Sequence, residues 1–140
     1  METTNTALVA SRRTFWTGVV VSTVPVLFLT MDGVMKLFKP EIVVKSTEEL
    51  GYSEQVIVPL GIVLLVCTVL YAIPRTAMTG AILLTGYLGG AVATHVRVGE
   101  SAFSIVFPII VGGLIWAGLY LRDSRTSELI PFRSAIGSNA

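Results

Sequence analysis

The sequence predicts an all-α integral membrane protein built as a bundle of four transmembrane helices. Of its 140 residues, 53% are hydrophobic and only 14% are charged, and the charges leave four long stretches free. The stretches without Asp, Glu, Lys or Arg are Phe15–Met31, Val56–Ile73, Thr76–Thr94 and Ser101–Leu121. Each has about 17 to 21 residues, enough for a helix rising about 1.5 Å per residue to cross a hydrocarbon core of about 30 Å. Four crossings leave little chain for a soluble domain.

The expected organisation is one transmembrane domain between two short tails. We expect an N-terminal tail over 1–13, the transmembrane domain over 14–121 and a C-terminal tail over 122–140. The four helices are expected at about 14–38, 55–73, 77–96 and 102–121. The polar stretch KPEIVVKSTEELGYSE separates the first two, and it holds Pro40, which suits a first helical turn, and Gly51, which suits a helix end. It predicts either a short interfacial helix or a solvated loop.

The charges of the connections predict the orientation in the membrane. One side carries both termini and is rich in arginine, whereas the connection after the first helix mixes lysine with glutamate. The arginines of the first side are Arg12, Arg13, Arg75, Arg122, Arg125 and Arg133. By the positive-inside rule both termini are expected in the cytoplasm. The net charge of +1 and the scattered basic residues argue against a nucleic-acid partner, so the lipid bilayer is the first expected partner.

A cluster of ionisable side chains is predicted near the outer boundary of the membrane. Asp32 and Lys36 are four residues apart, in the order that favours an ion pair on a helix. His95, Arg97 and Glu100 follow the third apolar stretch. Because the first and third helices run in the same direction, these five groups are expected to gather. They form either a polar site that faces the bundle or a charged rim where helices meet water.

The ligand-binding candidates are Asp32, Lys36, Tyr87, His95 and Arg97. Tyr87 lies two turns before His95 and extends the polar track inward. Histidine can ligate a metal or haem iron. No second histidine or cysteine stands at ligand spacing, so no metal site is predicted, and haem bound through His95 is less favoured than a quinone. The only cysteine, Cys67, lies within an apolar stretch and is interpreted as a packing residue.

Glycines in the last two predicted helices indicate close helix packing. Gly86 and Gly90 form a GxxxG step, and Gly112 with Gly113 gives the fourth helix a similar surface. Small residues at such spacings let helix backbones approach closely in lipid. We expect this packing within the chain or between the copies of a homo-oligomer.

Four segments resemble the DoxX-like family of small bacterial membrane proteins. They read FLTMDGVMKLFKPE, LGYSE, LYAIPRTAMTGAILLTGYLGGAVATHVRVGE and LRDSR. The resemblance extends from about Val26 to Pro131 and implies a four-helix bundle in the bacterial inner membrane. Relatives named for the family include a small subunit of an archaeal thiosulfate:quinone oxidoreductase and a mycobacterial membrane protein linked to oxidative and thiol stress defence. The family-like positions are Asp32, Gly33, Lys36, Arg75, Tyr87, Gly90, His95 and Arg97.

Three functions remain open at this point. The first is a redox-associated subunit that binds a quinone or another lipophilic molecule near the outer ends of the first and third helices. A lone cysteine cannot carry out dithiol chemistry, which favours an accessory membrane subunit over a self-contained enzyme. The second is a non-catalytic anchor or scaffold that recruits a protein partner through its outer charged face. The third, a small permeation or export protein, is disfavoured because no polar stripe runs from one side to the other.

Overall fold

The computed structural model describes the backbone of residues 2–129 and the side chains of residues 11–126, so most of the predicted C-terminal tail lies outside the described residues. Its helices are α1 (Glu2–Phe38), α2 (Glu41–Glu49), a single 3₁₀ turn (Glu54–Val56), α3 (Ile57–Ala72), α4 (Ala77–Val98), α5 (Ala102–Arg122) and α6 (Ser124–Leu129). Residues 2–129 contain no strand. The all-α prediction is confirmed. Helix α1 begins within the region expected to be an N-terminal tail.

Four of the helical segments are long and apolar enough to cross a bilayer. They are Ser11–Phe38, Glu54–Ala72, Ala77–Val98 and Ala102–Arg122. Their lipid-facing surfaces are covered with exposed large apolar side chains such as Leu27, Val66 and Ile109, which in water would be an aggregation hazard. The protein is therefore a multi-pass membrane protein, as its composition predicts.

The polar connection forms the short helix α2, which begins after Pro40 and ends in a Schellman motif. Gly51 adopts a φ of +82°, in the left-handed region that glycine tolerates best. Its N–H donates to the carbonyl of Glu48 at 2.8 Å, and the N–H of Tyr52 donates to the carbonyl of Thr47 at 3.2 Å. These two bonds satisfy carbonyls that a helix end would otherwise leave unpaired. The helix interpretation of this stretch is thus confirmed over the loop interpretation.

The four spanning helices form a ring in which α1 packs against α3 and α5, and α4 packs against the same two helices. Helices α1 and α4 therefore run in the same direction on opposite corners. We call the end where both of them finish the α2 end. We call the other end, where α5 finishes, the Arg122 end.

The Arg122 end is closed by a fully buried tyrosine. The Tyr71 hydroxyl hydrogen-bonds with Ser22 Oγ at 3.1 Å and with the carbonyl oxygen of Ile115 at 2.8 Å, which joins α3 to α1 and α5. Arg122 Nη2 donates to the carbonyl of Tyr71 at 2.6 Å, and its guanidinium carbon lies 4.6 Å from the centre of the Tyr71 ring. These contacts tie three of the four spanning helices together at this end.

Close contacts between helices fall at glycines other than those of the GxxxG step. A Cβ on Gly80 would collide with the backbone of Tyr71, and one on Gly118 would collide with Ser22. A Cβ on Gly61 would lie 2.8 Å from the Cβ of Lys36 and 3.0 Å from the carbonyl oxygen of Gly33. These glycines bring α3 against α4, α5 against α1 and α3 against α1, respectively.

Packing within the chain, one of the two roles expected for the GxxxG glycines, does not occur at most of them. A Cβ on Gly86, Gly90 or Gly113 would meet no heavy atom within 4 Å outside its own helix, and one on Gly112 would meet only Leu88 Cδ1, at 3.7 Å. The physical reason is helix phase, because Gly86, Gly90 and Gly113 are exposed, on sides of α4 and α5 against which no other described helix packs closely. Their role in packing between copies stays a prediction.

Candidate functional site

A cavity of about 450 Å³ lies at the α2 end, between the diagonally opposed helices α1 and α4. We call it the α2 cavity. Four of the five predicted candidates line it, namely Asp32, Lys36, Tyr87 and His95. The sequence therefore identified most of a cluster that the fold brings together from two distant segments.

The inner part of the α2 cavity is apolar. Leu29, Leu88 and Val111 belong to the buried core of the bundle and also line the cavity. Phe28 and Phe107 stand beside them in an edge-to-face arrangement, with ring centroids 5.1 Å apart. Such a lining suits the flat or extended apolar body of a lipophilic molecule, and a few polar groups then fix its orientation.

Asp32 and Lys36 form a local ion pair at the cavity wall. Their spacing places them one above the other on α1, and Lys36 Nζ lies 2.5 Å from each of the two carboxylate oxygens. The Lys36 side chain is only 17% exposed. Its charge is therefore compensated locally, and the pair presents a polar but neutral surface to the cavity.

Tyr87 and His95 supply polar groups whose hydrogen-bonding capacity is not used up. The Tyr87 hydroxyl has no hydrogen bond to any residue that the structure describes, although the ring is half-buried among core side chains. His95 Nδ1 is buried and lies 3.3 Å from Glu100 Oε2, without the alignment of a hydrogen bond. His95 Nδ1 is thus a buried polar atom without a partner, which is uncommon in folded proteins and calls for an explanation.

The segment that contains α2 covers the end of the α2 cavity. Thr47, Leu50 and Tyr52 contribute to the lining. Two hydrogen bonds fasten this segment to α4: Arg97 Nη2 donates to the carbonyl of Leu50 at 2.7 Å, and the hydroxyls of Tyr52 and Thr94 are 2.9 Å apart. We call residues 40–56 the cover segment.

Arg97 is the one ligand-binding candidate that the structure does not bring into the cavity. It is exposed and follows His95 by two residues, which turns it about 200° around α4. Its guanidinium holds the cover segment instead of lining the site. Sequence reasoning also missed Tyr52 and Thr94, whose contact joins residues 42 positions apart. The only signal for it was the turn at Gly51, which brings the chain back towards the bundle.

Residues 11–126 contain no group of three or more His, Cys, Asp or Glu side chains arranged to hold a metal ion. Cys67 is buried and unpaired, as its interpretation as a packing residue requires. The polar groups that line the α2 cavity, a phenol, an imidazole and an ion pair, can form hydrogen bonds to a ligand.

Comparison with known protein families gives a match over most of the chain. The model of the DoxX-like family matches residues 20–118, which is more than two thirds of the chain and includes every residue that lines the α2 cavity. The match confirms the resemblance noted in the sequence. No curated protein and no solved structure matches the chain at a significant level.

Proposed function

The chain belongs to the DoxX-like family, and we propose that it is a redox-associated accessory membrane subunit that holds a quinone or a similar lipophilic molecule in the α2 cavity. The observation that carries this proposal is the pairing of an apolar interior with unpartnered polar groups in one cavity inside a membrane bundle. Sites for small lipophilic ligands have this composition.

Each polar residue of the cavity then has a separate task. The Tyr87 hydroxyl is a free donor, and a quinone carbonyl is an acceptor that needs one. His95 is a second donor or acceptor, with Glu100 Oε2 3.3 Å from its Nδ1. The Asp32–Lys36 pair adds a local dipole without net charge. Because the Tyr87 ring packs against the core and the Asp32–Lys36 pair is formed before the ligand binds, little of their side-chain entropy is lost on binding.

An accessory role fits the chain better than an independent reaction. Reduction of a quinone needs an electron donor, and residues 11–126 supply neither a metal-ligand cluster nor a pair of cysteines. A partner protein would provide the electrons, and this chain would bind and position the lipophilic molecule.

We also propose an orientation with both termini in the cytoplasm and the α2 end at the outer face of the bacterial inner membrane. The support is the charge distribution. Arg75 and Arg122 lie at the Arg122 end, whereas the cover segment carries both Lys45 and several glutamates. Reactivity of single cysteines introduced at Ser46 and Ser124 towards an impermeant reagent on whole cells tests it. Labelling at Ser124 without labelling at Ser46 would overturn the orientation.

The test of ligand binding is native mass spectrometry, with an absorbance spectrum, of protein extracted gently from its own membrane. We expect a co-purifying lipophile in the wild type and a loss of most of it in Tyr87→Phe and His95→Ala. Tyr120→Phe is the matched control, because Tyr120 does not line the cavity. A wild-type protein that carries only bulk phospholipid, or variants that retain the lipophile fully, would contradict the proposal.

A second candidate function is recruitment of a protein partner by the exposed face of α2. Ile42 is 70% exposed there, beside the exposed Glu48 and Glu49. An amphipathic helix with this surface suits a partner that has a basic rim around an apolar groove. Crosslinking in cells tests it: a partner captured by the wild type should be lost when Glu48 and Glu49 are changed to lysine. A complex that survives this reversal would exclude the α2 face.

A further inference from the structure

The α2 cavity has a lateral opening on the surface of α4, beside Gly86 and Gly90. Both glycines line the cavity, and both are also exposed. A Cβ built on either would meet no heavy atom within 4 Å outside the helix. The wall of the cavity therefore contains a gap where side chains would otherwise stand.

The gap lies on the flank of α4 that faces away from α5. Leu88 points towards α5, since its Cδ1 is the atom nearest to a Cβ on Gly112. Gly86 and Gly90 are each two residues from Leu88, which places them about 200° around the helix from it. Gly80 of α4 faces α3, the other neighbour of α4 in the ring, and Gly90 lies about 80° around the helix from Gly80 on the side away from α5, so the opening flanks the α3 side of α4.

Helix α3 leaves this gap because it changes partner along its length. Near the Arg122 end, the backbone of Tyr71 lies against Gly80 of α4. Near the α2 end, Gly61 of α3 lies instead against Gly33 and Lys36 of α1. Of the α3 side chains, only Leu60 is among those that line the cavity. Beside Gly86 and Gly90, by contrast, no atom of α3 lies within 4 Å of a Cβ built on either glycine.

The route along the bundle axis is covered. Leu50 and Tyr52 lie across the end of the cavity, and their hydrogen bonds to Arg97 and Thr94 hold them there. A molecule that reaches the cavity from the bilayer meets the glycine gap first. A molecule that comes from water must displace the cover segment.

Resting on the proposed function, we propose that the ligand is an amphiphile with a long linear hydrocarbon tail, a polyisoprenoid or acyl chain, which leaves the cavity sideways between α3 and α4. A volume of about 450 Å³ lies within the range of sites that enclose one drug-sized molecule. It accommodates a ring-shaped head group but not a long tail as well. The tail passes Gly86 and Gly90 and continues into the lipid, and the head group enters by the same path.

Leucine substitutions test this path. Gly86→Leu and Gly90→Leu place a branched side chain in the gap without an internal collision, because both positions are open. Gly89→Leu is the matched control, since Gly89 is on the same helix, is equally exposed and open, and does not line the cavity. All three variants are expected to fold as the wild type does, which circular dichroism and size-exclusion chromatography check.

Two probes separate the tail from the head group: a naphthoquinone with a polyisoprenoid tail, and the same ring with a methyl group in place of the tail. Binding is followed by tryptophan fluorescence quenching and by native mass spectrometry in lipid nanodiscs. We expect the tailed probe to bind the wild type and Gly89→Leu equally, and to bind Gly86→Leu and Gly90→Leu at least tenfold more weakly. The short probe should bind all four proteins alike.

Each other outcome has a definite meaning. Unchanged binding of the tailed probe to Gly86→Leu and Gly90→Leu would overturn the lateral path and leave the proposed function standing. Loss of the tailed probe in Gly89→Leu as well would overturn it in favour of a contact between copies on this face of α4. Loss of the short probe in either cavity variant would assign that glycine to the head-group site instead. A wild type that binds neither probe would overturn the proposed function.

Discussion

Two tyrosines show how differently the ends of this bundle are built. At the Arg122 end, Tyr71 is fully buried and its hydroxyl is bonded to both Ser22 and Ile115. At the α2 end, the Tyr87 ring is only partly buried, and its hydroxyl has no hydrogen-bond partner among the described residues. The first tyrosine joins helices, and the second leaves its hydroxyl available to a ligand in the α2 cavity.

The difference follows from what holds helices together in lipid. Apolar side chains gain little by leaving lipid for a protein interior, so close backbone approach and hydrogen bonds between helices provide the cohesion. At the Arg122 end, the close approaches at Gly80 and Gly118 and the hydrogen bonds of Tyr71 join α4 and α5 to α3 and α1, whereas the close approach at the α2 end, at Gly33 and Gly61, joins only α3 to α1. At the α2 end, the α2 cavity lies between α1 and α4. Stability and binding are thus assigned to opposite ends of the same four helices.

The largest expected effect on stability is at a glycine of the Arg122 end. Gly80→Ala forces a Cβ into the backbone of Tyr71, and overpacking of this kind costs about 3 kcal/mol of folding free energy. Gly86→Ala, at an open position of the same helix, should leave stability unchanged. Thermal unfolding of both variants in one detergent, followed by circular dichroism, compares them. Equal melting of Gly80→Ala and the wild type would show that α3 and α4 are not tightly apposed there.

The next largest effect separates the two tyrosines themselves. Tyr71→Phe leaves the Ile115 carbonyl and the Ser22 hydroxyl without this partner in a buried site, which we expect to cost about 2 kcal/mol. Tyr87→Phe removes a hydroxyl that has no partner, so the free energy of unfolding should barely change while ligand retention falls. The measurement is unfolding in a denaturing detergent beside native mass spectrometry. A comparable loss of stability in both variants would mean that Tyr87 is also structural.

A smaller effect is expected for the ion pair of the α2 cavity. Asp32→Asn leaves Lys36, whose side chain is 17% exposed, without its counter-charge, and we expect a loss of about 1 kcal/mol. Adding Lys36→Met should recover most of it, because the lone charge is then gone. A double-mutant cycle measures the coupling. If Asp32→Asn and Lys36→Met contribute independently, the two groups act separately, and the cavity wall carries two charges and not one neutral pair.

How much of this molecule could be predicted depended on whether a feature is local. The spanning helices follow from the absence of charge over long stretches, and α2 follows from Pro40 and Gly51, both of which act within a few residues. The Asp32–Lys36 pair is local too, since four residues make one turn. These predictions did not need to know which helix lies beside which.

Predictions that depend on the phase between helices were less successful. Gly86 and Gly90 have the spacing of a packing motif, yet they border an opening, whereas the tight contacts fall at glycines outside that step, such as Gly33 and Gly61. The order of the helices around the ring decides which face of α4 is covered, and spacing alone does not give that order. Arg97 was expected in the cluster because the first and third helices end on the same side, but it lies two positions after His95, which places it on nearly the opposite face of the helix.

The smallest expected effect is local and concerns the cover segment. Arg97→Met keeps a long apolar side chain but removes the donor to the Leu50 carbonyl, so the backbone amides of Gly51 and Tyr52 should exchange with deuterium about tenfold faster. The melting temperature should not move, because the Arg122 end does not depend on this contact. Hydrogen exchange with mass spectrometry measures the exchange rates of these amides, with Arg75→Met as the matched control. If Arg97→Met instead lowers the melting temperature as much as Tyr71→Phe does, the two ends unfold as one cooperative unit. Stability and binding are then not separated between the two ends.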